Sequence, residues 1–323
     1  MKNRKKNNKK YYNSIIMMLT FGVLLIGILL TVHIFDCKKI SKLNNEAKEY
    51  RQKNNILNEK NEDLLKRLEK IQNKIYIGEP GMATKIPIIT FHRTVDSESK
   101  KKYFSDSEWV NDLSVTDAEL KYLYDNGWKS IDLDEFYCWY NKDCEFPKKT
   151  FVITIDDGDS EAYYNILPIL EKYKFKATLF AIGKSIPEKT EPLSEPKRLK
   201  LGYDKIKELR DNNSLLQVES HTYDLHHMVG KKEAVLTKSE KELNEDFKYN
   251  EKYEFKYLAY PYGQYNKKML TVTANSNIRM AFKFRRGTYA TRLDNKYEIS
   301  RIKINSFMKL DEFKKIFAYA KGE

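Results

Sequence analysis

An apolar run that ends in two adjacent carboxylates constrains the fold of this 323-residue chain more than any other feature. Residues Phe151 to Ile155 all favour β-structure, and Asp156-Asp157-Gly158 follows them at once. Such a continuous run is typical of a strand buried on both faces, as in a parallel sheet. In barrels of such strands, functional side chains project from the carboxyl ends. One carboxylate of the pair can then bind a cation while the other accepts a proton.

A histidine cluster follows a second apolar run about 65 residues later. The run is Leu215 to Val218, and the cluster after it contains His221, His226 and His227. Two imidazoles and one carboxylate suit a divalent transition metal, and catalytic zinc sites commonly combine three protein ligands with one open position. The spacing indicates His221 and His226 as ligands, with His227 as the alternative second ligand. Taken alone, Asp-Asp-Gly is also typical of a solvated turn, and a histidine cluster of a surface loop.

Two further short strands are predicted to end in groups that can bind a ligand. One precedes the turn Pro261-Tyr262-Gly263, whose backbone N–H groups can face a ligand. The other begins near Ile86 and ends at His92. The alternatives are an ordinary turn with tyrosines packed on the core and a structural histidine. Four strand ends thus carry functional candidates in a chain with five histidines.

The motifs Thr-Ile-Asp-Asp-Gly, His-Thr-Tyr-Asp-Leu-His and Ala-Tyr-Pro-Tyr-Gly, in this order, resemble those of the polysaccharide deacetylases with a NodB-type domain, carbohydrate esterase family 4. The resemblance covers roughly residues 86 to 320. The gap of five between His221 and His226, and the histidine on the first strand, look most like the branch that deacetylates poly-β-1,6-N-acetylglucosamine. The commoner branch has its catalytic histidine in a late Leu-x-x-His motif. Since no histidine follows His227, His92 is the candidate for that role.

The resemblance implies a role for each of these residues. Asp157, His221 and His226 are expected to bind a divalent metal, zinc before cobalt, nickel or manganese. Asp156 is expected to be the general base that activates water, and protonated His92 the general acid that donates to the departing sugar amine. The products would be acetate and a cationic glucosamine unit.

The resemblance also implies substrate contacts at the third motif. Pro261, Tyr262 and Gly263 are expected to bind substrate, and the backbone N–H of Tyr262 to hold the tetrahedral oxyanion together with the metal.

One departure from the family pattern leaves the group that orients Asp156 open. Many members carry an arginine before Pro-Tyr-Gly, whereas this chain reads Lys256 to Tyr260 without one. The candidates to replace it are Arg285, Arg286 and Arg301. Glu219 and Asp224 flank the histidines, either supporting the ligands or solvating the loop.

The first eighty-five residues predict a membrane-anchored arrangement. Residues 1–14 form a basic tail with six Lys or Arg and no acid, and residues 15–35 carry no formal charge. That length spans a bilayer core, and the usual signal-peptide cleavage site is not evident. We therefore expect a cytoplasmic tail, a transmembrane helix at 15–35, a stalk at 36–77, a linker at 78–85 and an extracellular catalytic domain at 86–323. A lipoprotein anchored at Cys37 is the less favoured alternative.

The stalk has a heptad pattern. Position a is occupied by Ile40, Ala47, Asn54, Asn61, Leu68 and Ile75, and position d by Leu43, Tyr50, Leu57, Leu64 and Ile71. The pattern predicts either a homo-oligomeric coiled coil, with the asparagines fixing its register, or a single charged spacer helix.

Beyond residue 85, strand and helix signals alternate, which predicts an α/β fold. Seven strands are expected, five of them at 177–182, 215–218, 257–260, 279–284 and 299–304, besides those carrying His92 and Asp156. With the resemblance, this predicts a distorted, incomplete (β/α) barrel of about seven parallel strands. Helices are expected at 116–126, with a capping box of Thr116 and Glu119, and at 160–173.

Cysteine content and charge narrow the remaining function classes. Cys138 and Cys144 are expected to close a short disulfide loop, as an extracellular domain allows, or to remain free thiols. The net charge of +13 admits a nucleic-acid binder, but about half of it lies in the basic tail, so no nucleic-acid partner is predicted. The expected partner is an N-acetylglucosamine polysaccharide. The alternatives are a peptidoglycan deacetylase or O-acetyl esterase of the same fold, and an inactive carbohydrate-binding module.

Overall fold

The computed structural model describes residues 2–75, 81–284 and 288–318. The chain divides into two units, residues 1–76 and 77–323. The first is one helix, α1 (Lys2–Ile75). Apolar residues at five of its predicted heptad positions are exposed, namely Ile40, Leu43, Tyr50, Leu57 and Leu64. Side chains of α1 are described at 17–27, 33, 39–62 and 64, so the span predicted at 15–35 is only partly among the described residues. Within the described part of the chain, no helix has a stretch both long and apolar enough to cross a membrane.

The second unit alternates strands and helices. Its strands are β1 (Lys85–Ile86), β2 (Ile88–Phe91), β3 (Arg93–Val95), β4 (Val110–Asp112), β5 (Lys129–Ser130), β6 (Thr150–Ile155), β7 (Ala177–Ala181), β8 (Leu216–Ser220), β9 (Met228–Val229), β10 (Lys232–Glu233), β11 (Tyr257–Ala259), β12 (Met280–Lys283), β13 (Ala290–Thr291), β14 (Ile299–Ser300) and β15 (Ile302–Lys303). Its helices are α2 (Ser97–Tyr103), α3 (Leu113–Asp125), α4 (Leu133–Tyr140), α5 (Leu167–Tyr173), α6 (Tyr203–Asp211), α7 (Ala234–Thr237), α8 (Glu240–Asn250), α9 (Lys267–Ala274) and α10 (Leu310–Ala318), with a π-helical turn at Ala162–Ile166 before α5.

Eight strands form a nearly closed parallel barrel in the order β14-β12-β11-β8-β7-β6-β2-β15, and β5 pairs in parallel with the first two residues of β6. The sequence predicts about seven, and the difference lies in the last predicted strand. That segment is interrupted at Arg301, so its first half pairs with β12 and its second half with β2. One segment therefore joins both ends of the sheet, and the barrel is more complete than expected.

The barrel is sealed by apolar side chains on both faces of its strands. All residues of β2, β6 and β7 are buried, as the continuous apolar runs predict. Outside the barrel, α3, α5, α6 and α10 pack on one large cluster that includes Leu120, Leu170, Leu209 and Phe313. Two hydroxyls, of Thr90 and Thr154, are buried and bond to each other at 2.9 Å. The parallel register brings the carboxyl ends of the strands to one edge.

One local prediction is wrong and another is confirmed. Helix α3 begins three residues earlier than expected, because Asp112 rather than Thr116 is its N-cap and accepts from the N–H of Ser114. The capping-box prediction is therefore wrong, and Thr116 and Glu119 are buried inside the helix. The last residue of the predicted linker, Lys85, pairs with Thr291 of β13. The predicted disulfide between Cys138 and Cys144 is present.

Candidate active site

The strand ends singled out in the sequence meet at one edge of the barrel around a cavity of about 630 Å³. Strands β2 and β6 pair up to Phe91 and Ile155, so His92 and Asp156 leave neighbouring strands at the same level. Strands β7, β8 and β11 continue the same register. The cavity is lined by the predicted residues His92, Asp156, Asp157, His221, His226, Tyr262 and Gly263, together with Trp109, Arg198, Phe284 and others.

Asp157, His221 and His226 converge so that their ligand atoms all lie within 4.8 Å of one another. Asp157 Oδ1 is 3.3 Å from His226 Nε2 and 3.7 Å from His221 Nε2. Such separations suit donors that each lie about 2 Å from one ion. His221 Nδ1–H donates to the carbonyl of Ala259 at 2.7 Å, which leaves Nε2 with its lone pair toward the cluster. The donor set therefore fits a divalent transition metal.

The protonation states also suit a metal centre. Burial, and next the charge of His221, lowers the pKa of His226 to about 4. Burial likewise lowers the pKa of His221. Burial by itself would raise the pKa of Asp157, but His92, His221 and Arg198 outweigh it and hold that pKa below its usual range. At neutral pH the site thus offers two neutral imidazoles and one carboxylate, the forms that bind metal.

The loop that carries the histidines is held by buried polar groups. Asp246 of α8 accepts from the backbone N–H of Tyr223 at 2.9 Å and of Asp224 at 2.7 Å. Thr222 has a φ of +67°, a left-handed conformation that bends the chain sharply after His221. The bend returns His226 to the cluster, while His227 is exposed at the start of a hairpin. His226 rather than His227 is thus the second histidine of the cluster.

Asp156 is oriented by Arg301, one of the three arginines left open by the sequence. Arg301 Nη1 donates to Asp156 Oδ1 at 2.6 Å and Nη2 to Oδ2 at 2.8 Å, and both side chains are almost fully buried. Burial alone would raise the pKa of Asp156, but the charge of Arg301 outweighs it and keeps that pKa below its usual range. Asp156 is therefore an ionised carboxylate at neutral pH. Arg285 and Arg286 lie outside the described residues.

His92 lines the cavity among aromatic rings. Its ring centroid is 4.7 Å from that of Trp109 and 5.7 Å from that of Phe284, both in edge-to-face contacts. Burial lowers the pKa of His92, against the opposing effect of Asp156 and Asp157. The imidazole is thus neutral in the resting protein and a comparatively strong acid once protonated.

Two residues of the Pro261-Tyr262-Gly263 turn, Tyr262 and Gly263, line the cavity, whereas the predicted substrate-binding residue Pro261 is buried and is not among its lining residues. Tyr262 has a φ of +56°, and its ring packs on that of His226 in a tilted contact at a centroid distance of 4.3 Å. A side chain at Gly263 would meet the backbone of Phe284 at 2.4 Å, so only glycine fits there. The turn therefore places an aromatic ring beside the proposed metal ligands.

The two acidic residues that flank the histidines make other contacts. Glu219 is buried and accepts from the backbone N–H groups of Lys256 at 2.6 Å and Tyr257 at 2.9 Å, at the start of β11. Asp224 pairs with Lys184 at the surface, 2.6 Å apart. Glu219 therefore supports the start of β11, whereas Asp224 lies in a solvated part of the loop, as the alternative prediction has it.

Sequence reasoning missed Arg198, which lines the cavity and donates to Asp157 Oδ2 at 2.7 Å. It lies in a long polar loop between β7 and α6, whose composition alone indicates solvent exposure. The aromatic residues Trp109 and Phe284 were missed as well, since neither belongs to a motif. Phe284 directly follows the barrel strand β12, and that position was the available signal. Trp109 precedes β4, which pairs with β3 outside the barrel, and had no such signal.

Comparison with known proteins agrees with this geometry. A family model described as polysaccharide deacetylase matches residues 143–281. A poly-β-1,6-N-acetyl-D-glucosamine N-deacetylase of Staphylococcus aureus is 33% identical over 217 residues, 63% of this chain and 72% of the relative.

Solved structures share the fold. IcaB from Ammonifex degensii aligns with a TM-score of 0.60 at 20% identity, over 74% of this chain and 98% of that one. A de-N-acetylase from Aggregatibacter actinomycetemcomitans aligns with a TM-score of 0.62 at 20% identity, over 72% and 99%. The sequence match, the barrel and the order of the motifs lead to one conclusion: the chain belongs to the polysaccharide deacetylases of carbohydrate esterase family 4, hydrolases that cleave amide C–N bonds.

Proposed function

We propose that this protein is a metal-dependent N-deacetylase of poly-β-1,6-N-acetylglucosamine. The observation that carries the proposal is the convergence of Asp157, His221 and His226 beside an ionised Asp156 at the mouth of one cavity. The Staphylococcus aureus relative supports the choice of glycan by its name and its 33% identity. His92 on the first strand supports it as well, because the commoner branch places its histidine elsewhere.

A divalent ion at this site would polarise the acetamide carbonyl and activate the attacking water. Asp156 would accept the proton of that water, since Arg301 keeps it ionised and fixes both of its oxygens. The backbone N–H of Tyr262 is the proposed donor to the oxyanion. The ring of Tyr262 and that of Trp109 would flank the sugar.

His92 would deliver a proton to the departing amine. Because its pKa is lowered by burial, few molecules carry the imidazolium at rest. We propose that the proton accepted by Asp156 reaches His92 during the reaction. The amide nitrogen then leaves as a neutral amine, without which C–N cleavage is slow.

The test is a substrate panel with two controls. Purified protein, reconstituted with Zn²⁺, should release acetate from poly-β-1,6-N-acetylglucosamine oligomers faster than from peptidoglycan fragments or O-acetylated glycans. Chelation should abolish the release, and added Zn²⁺ should restore it. Equal rates on all three glycans would contradict the proposed specificity, and chelator-resistant release would contradict the metal dependence.

We also propose that residues 15–35 anchor the enzyme in the cell membrane with its barrel outside. The support is the sequence alone: six basic residues in 1–14 followed by 21 uncharged ones. Protease added to intact cells should cut the barrel unit, which should stay with membranes after a high-salt wash. Recovery of a soluble form cut just after residue 35 would contradict the anchor.

We further propose that the heptad pattern of α1 pairs copies of this chain. Five apolar residues of that pattern are exposed in the single chain, and burying them against another copy is favourable. Cross-linking at Leu57→Cys should give a covalent dimer in membranes, whereas Glu59→Cys, two residues along the same helix, should react less. Equal cross-linking at both positions would favour the spacer alternative.

A further inference from the structure

A segment of the loop between β7 and α6 is hydrogen-bonded to two parts of the barrel unit beside the candidate metal site. This segment, Glu195–Leu201, is called the strap below. Two of its residues hydrogen-bond to the loop after Asp157. Leu199 O accepts from the N–H of Ser160 at 2.9 Å, and the N–H of Leu201 donates to Gly158 O at 3.0 Å. The strap therefore runs beside the loop that carries Asp157.

The other end of the strap is held by Arg93, the residue that follows His92. Arg93 is buried and pairs with Glu161. Its Nη2 also donates to Glu195 Oε2 at 2.6 Å and to the carbonyl of Lys197 at 2.9 Å. Because the strap is fixed to both the His92 strand and the Asp157 loop, the residue between these anchors, Arg198, has a defined place.

Arg198 makes three bonds to two carboxylates. Its Nε donates to Asp159 Oδ1 at 2.8 Å, and its Nη2 to Asp159 Oδ2 at 2.7 Å and Asp157 Oδ2 at 2.7 Å. The oxygen of Asp157 that faces the two histidines is the other one, Oδ1. Arg198 thus occupies one oxygen of Asp157 and leaves the second for the cluster.

We propose that Arg198 is a positioning residue that makes Asp157 a one-oxygen metal ligand. This inference rests on the proposed metal site. Two cations, Arg198 and Lys200, face the two carboxylates of Asp157 and Asp159, because Lys200 Nζ also donates to Asp159 Oδ1 at 2.7 Å. With these charges matched, Arg198 acts on Asp157 mainly through the hydrogen bond that fixes its carboxylate. Groups that orient metal ligands typically change metal affinity by about 10–100-fold.

The strap offers a matched control. Lys197 carries the same charge one residue earlier, and its Nζ pairs with Glu191 at the surface, 2.9 Å apart. Lys197→Gln therefore removes one positive charge from the strap without touching Asp157. Arg198→Gln removes the same charge together with the bond to Asp157.

The experiment measures Zn²⁺ affinity of the purified chain by competition with a chromogenic chelator. Arg198→Gln should weaken Zn²⁺ binding about 10–100-fold, and Lys197→Gln by less than about threefold. Arg198→Lys should recover only part of the loss, because an ammonium group lacks the planar fork that spans both carboxylates. The absorption spectrum of the Co²⁺-loaded protein should change in Arg198→Gln and not in Lys197→Gln.

Two results would overturn the inference. Equal Zn²⁺ affinity of Arg198→Gln and Lys197→Gln would reduce Arg198 to a structural tie of the strap, and a tighter affinity would mean that it competes with the ion for Asp157. If Arg198→Gln does not fold, Arg198→Lys decides, since it keeps the charge while losing the planar fork, and it should bind Zn²⁺ more weakly than Lys197→Gln does. His221→Ala separates the two proposals: if it retains Zn²⁺, the metal site itself is wrong, whatever Arg198 does.

Discussion

The buried pair of Asp156 and Arg301 should show strong and asymmetric coupling in a double-mutant cycle. Arg301→Met replaces the guanidinium by an apolar side chain, which suits the rings of Phe180 and Phe284 that lie 5.3 and 5.7 Å from it. Asp156→Asn removes the carboxylate charge at constant size. Each single change leaves one buried charge without its partner, which typically costs about 3–5 kcal/mol.

The two single variants should differ in how they respond to pH. In Arg301→Met the orphaned carboxyl can escape by taking up a proton. Protonating this carboxyl costs about 1.36 kcal/mol for each unit by which the pH exceeds its unfolded-state pKa of about 3.9. The cost of the orphaned carboxyl is therefore at most about 4 kcal/mol at pH 7 and about 1.5 kcal/mol at pH 5. Because the pKa of the Asp156 carboxyl is raised in folded Arg301→Met, this variant keeps its stability at low pH and loses it as pH rises. In Asp156→Asn the guanidinium cannot lose its proton, so its loss should not change between pH 5 and 7.

The combined variant leaves no buried charge unpaired at this position. Its free energy of unfolding should therefore be several kcal/mol above that expected from adding the two single losses, although it should have no deacetylase activity. Urea unfolding in chelator, followed by tryptophan fluorescence, measures this in the barrel unit, since Trp109, Trp128 and Trp139 all lie there. Chelator keeps metal binding from adding stability.

An exposed pair supplies the control for this cycle. Arg210 and Glu254 lie 3.0 Å apart with 42% and 79% of their side chains exposed, so their coupling should be below about 1 kcal/mol. Additive losses for Asp156 and Arg301, or the same pH dependence in both single variants, would refute the reasoning that this pair is buried and charged.

Three further predictions follow from single side chains. His226→Ala should remove most bound Zn²⁺ and activity, whereas His227→Ala should keep both, as metal analysis of the purified variants would show; metal retained in His226→Ala would assign the ligand elsewhere. His92→Ala should keep its metal and hydrolyse an activated acetyl ester with a much smaller defect than it shows on N-acetylglucosamine oligomers, because the ester needs little proton donation; equal defects would leave His92 a positioning or structural role. Burial raises the pKa of Glu119 from its usual 4.5 to about 8, so its stability contribution is full below pH 4.5 and lost as pH rises through 8. Glu119→Gln should accordingly gain on the order of 5 kcal/mol over wild type at pH 9 and little at pH 4 in urea titrations, and a pH-independent effect would contradict this.

The parts of the site that follow strands could be predicted from the sequence. A buried strand in a parallel sheet is apolar throughout, so the first polar residue after it stands out, and parallel register brings all such residues to one edge. Asp156, Asp157 and His221 come together for this reason. His226 was also predictable, because few histidines are available and its loop starts at the same edge.

The partners of these residues were not predictable, because they come from distant parts of the chain. Arg301 lies 145 positions from Asp156 in sequence and reaches it only through closure of the barrel. One signal existed: an arginine in the middle of an otherwise strand-like run, at 299–304, needs a buried acid to pair with. The same residue interrupts the strand, which also explains why the strand count was one too low.

Asp157 shows how a residue at a strand end combines with partners from distant parts of the chain. Its φ of +78° is a left-handed conformation that a non-glycine residue rarely adopts, and it sits between a strand end and Gly158. In this conformation the carboxylate lies 3.3 Å from His226 Nε2 and 3.7 Å from His221 Nε2. Arg198 donates to one oxygen of Asp157, and Arg301 donates to the neighbouring Asp156, so each of the two adjacent aspartates is paired with a different arginine. This difference in partners allows Asp157 to serve as the proposed metal ligand and Asp156 as the proposed base.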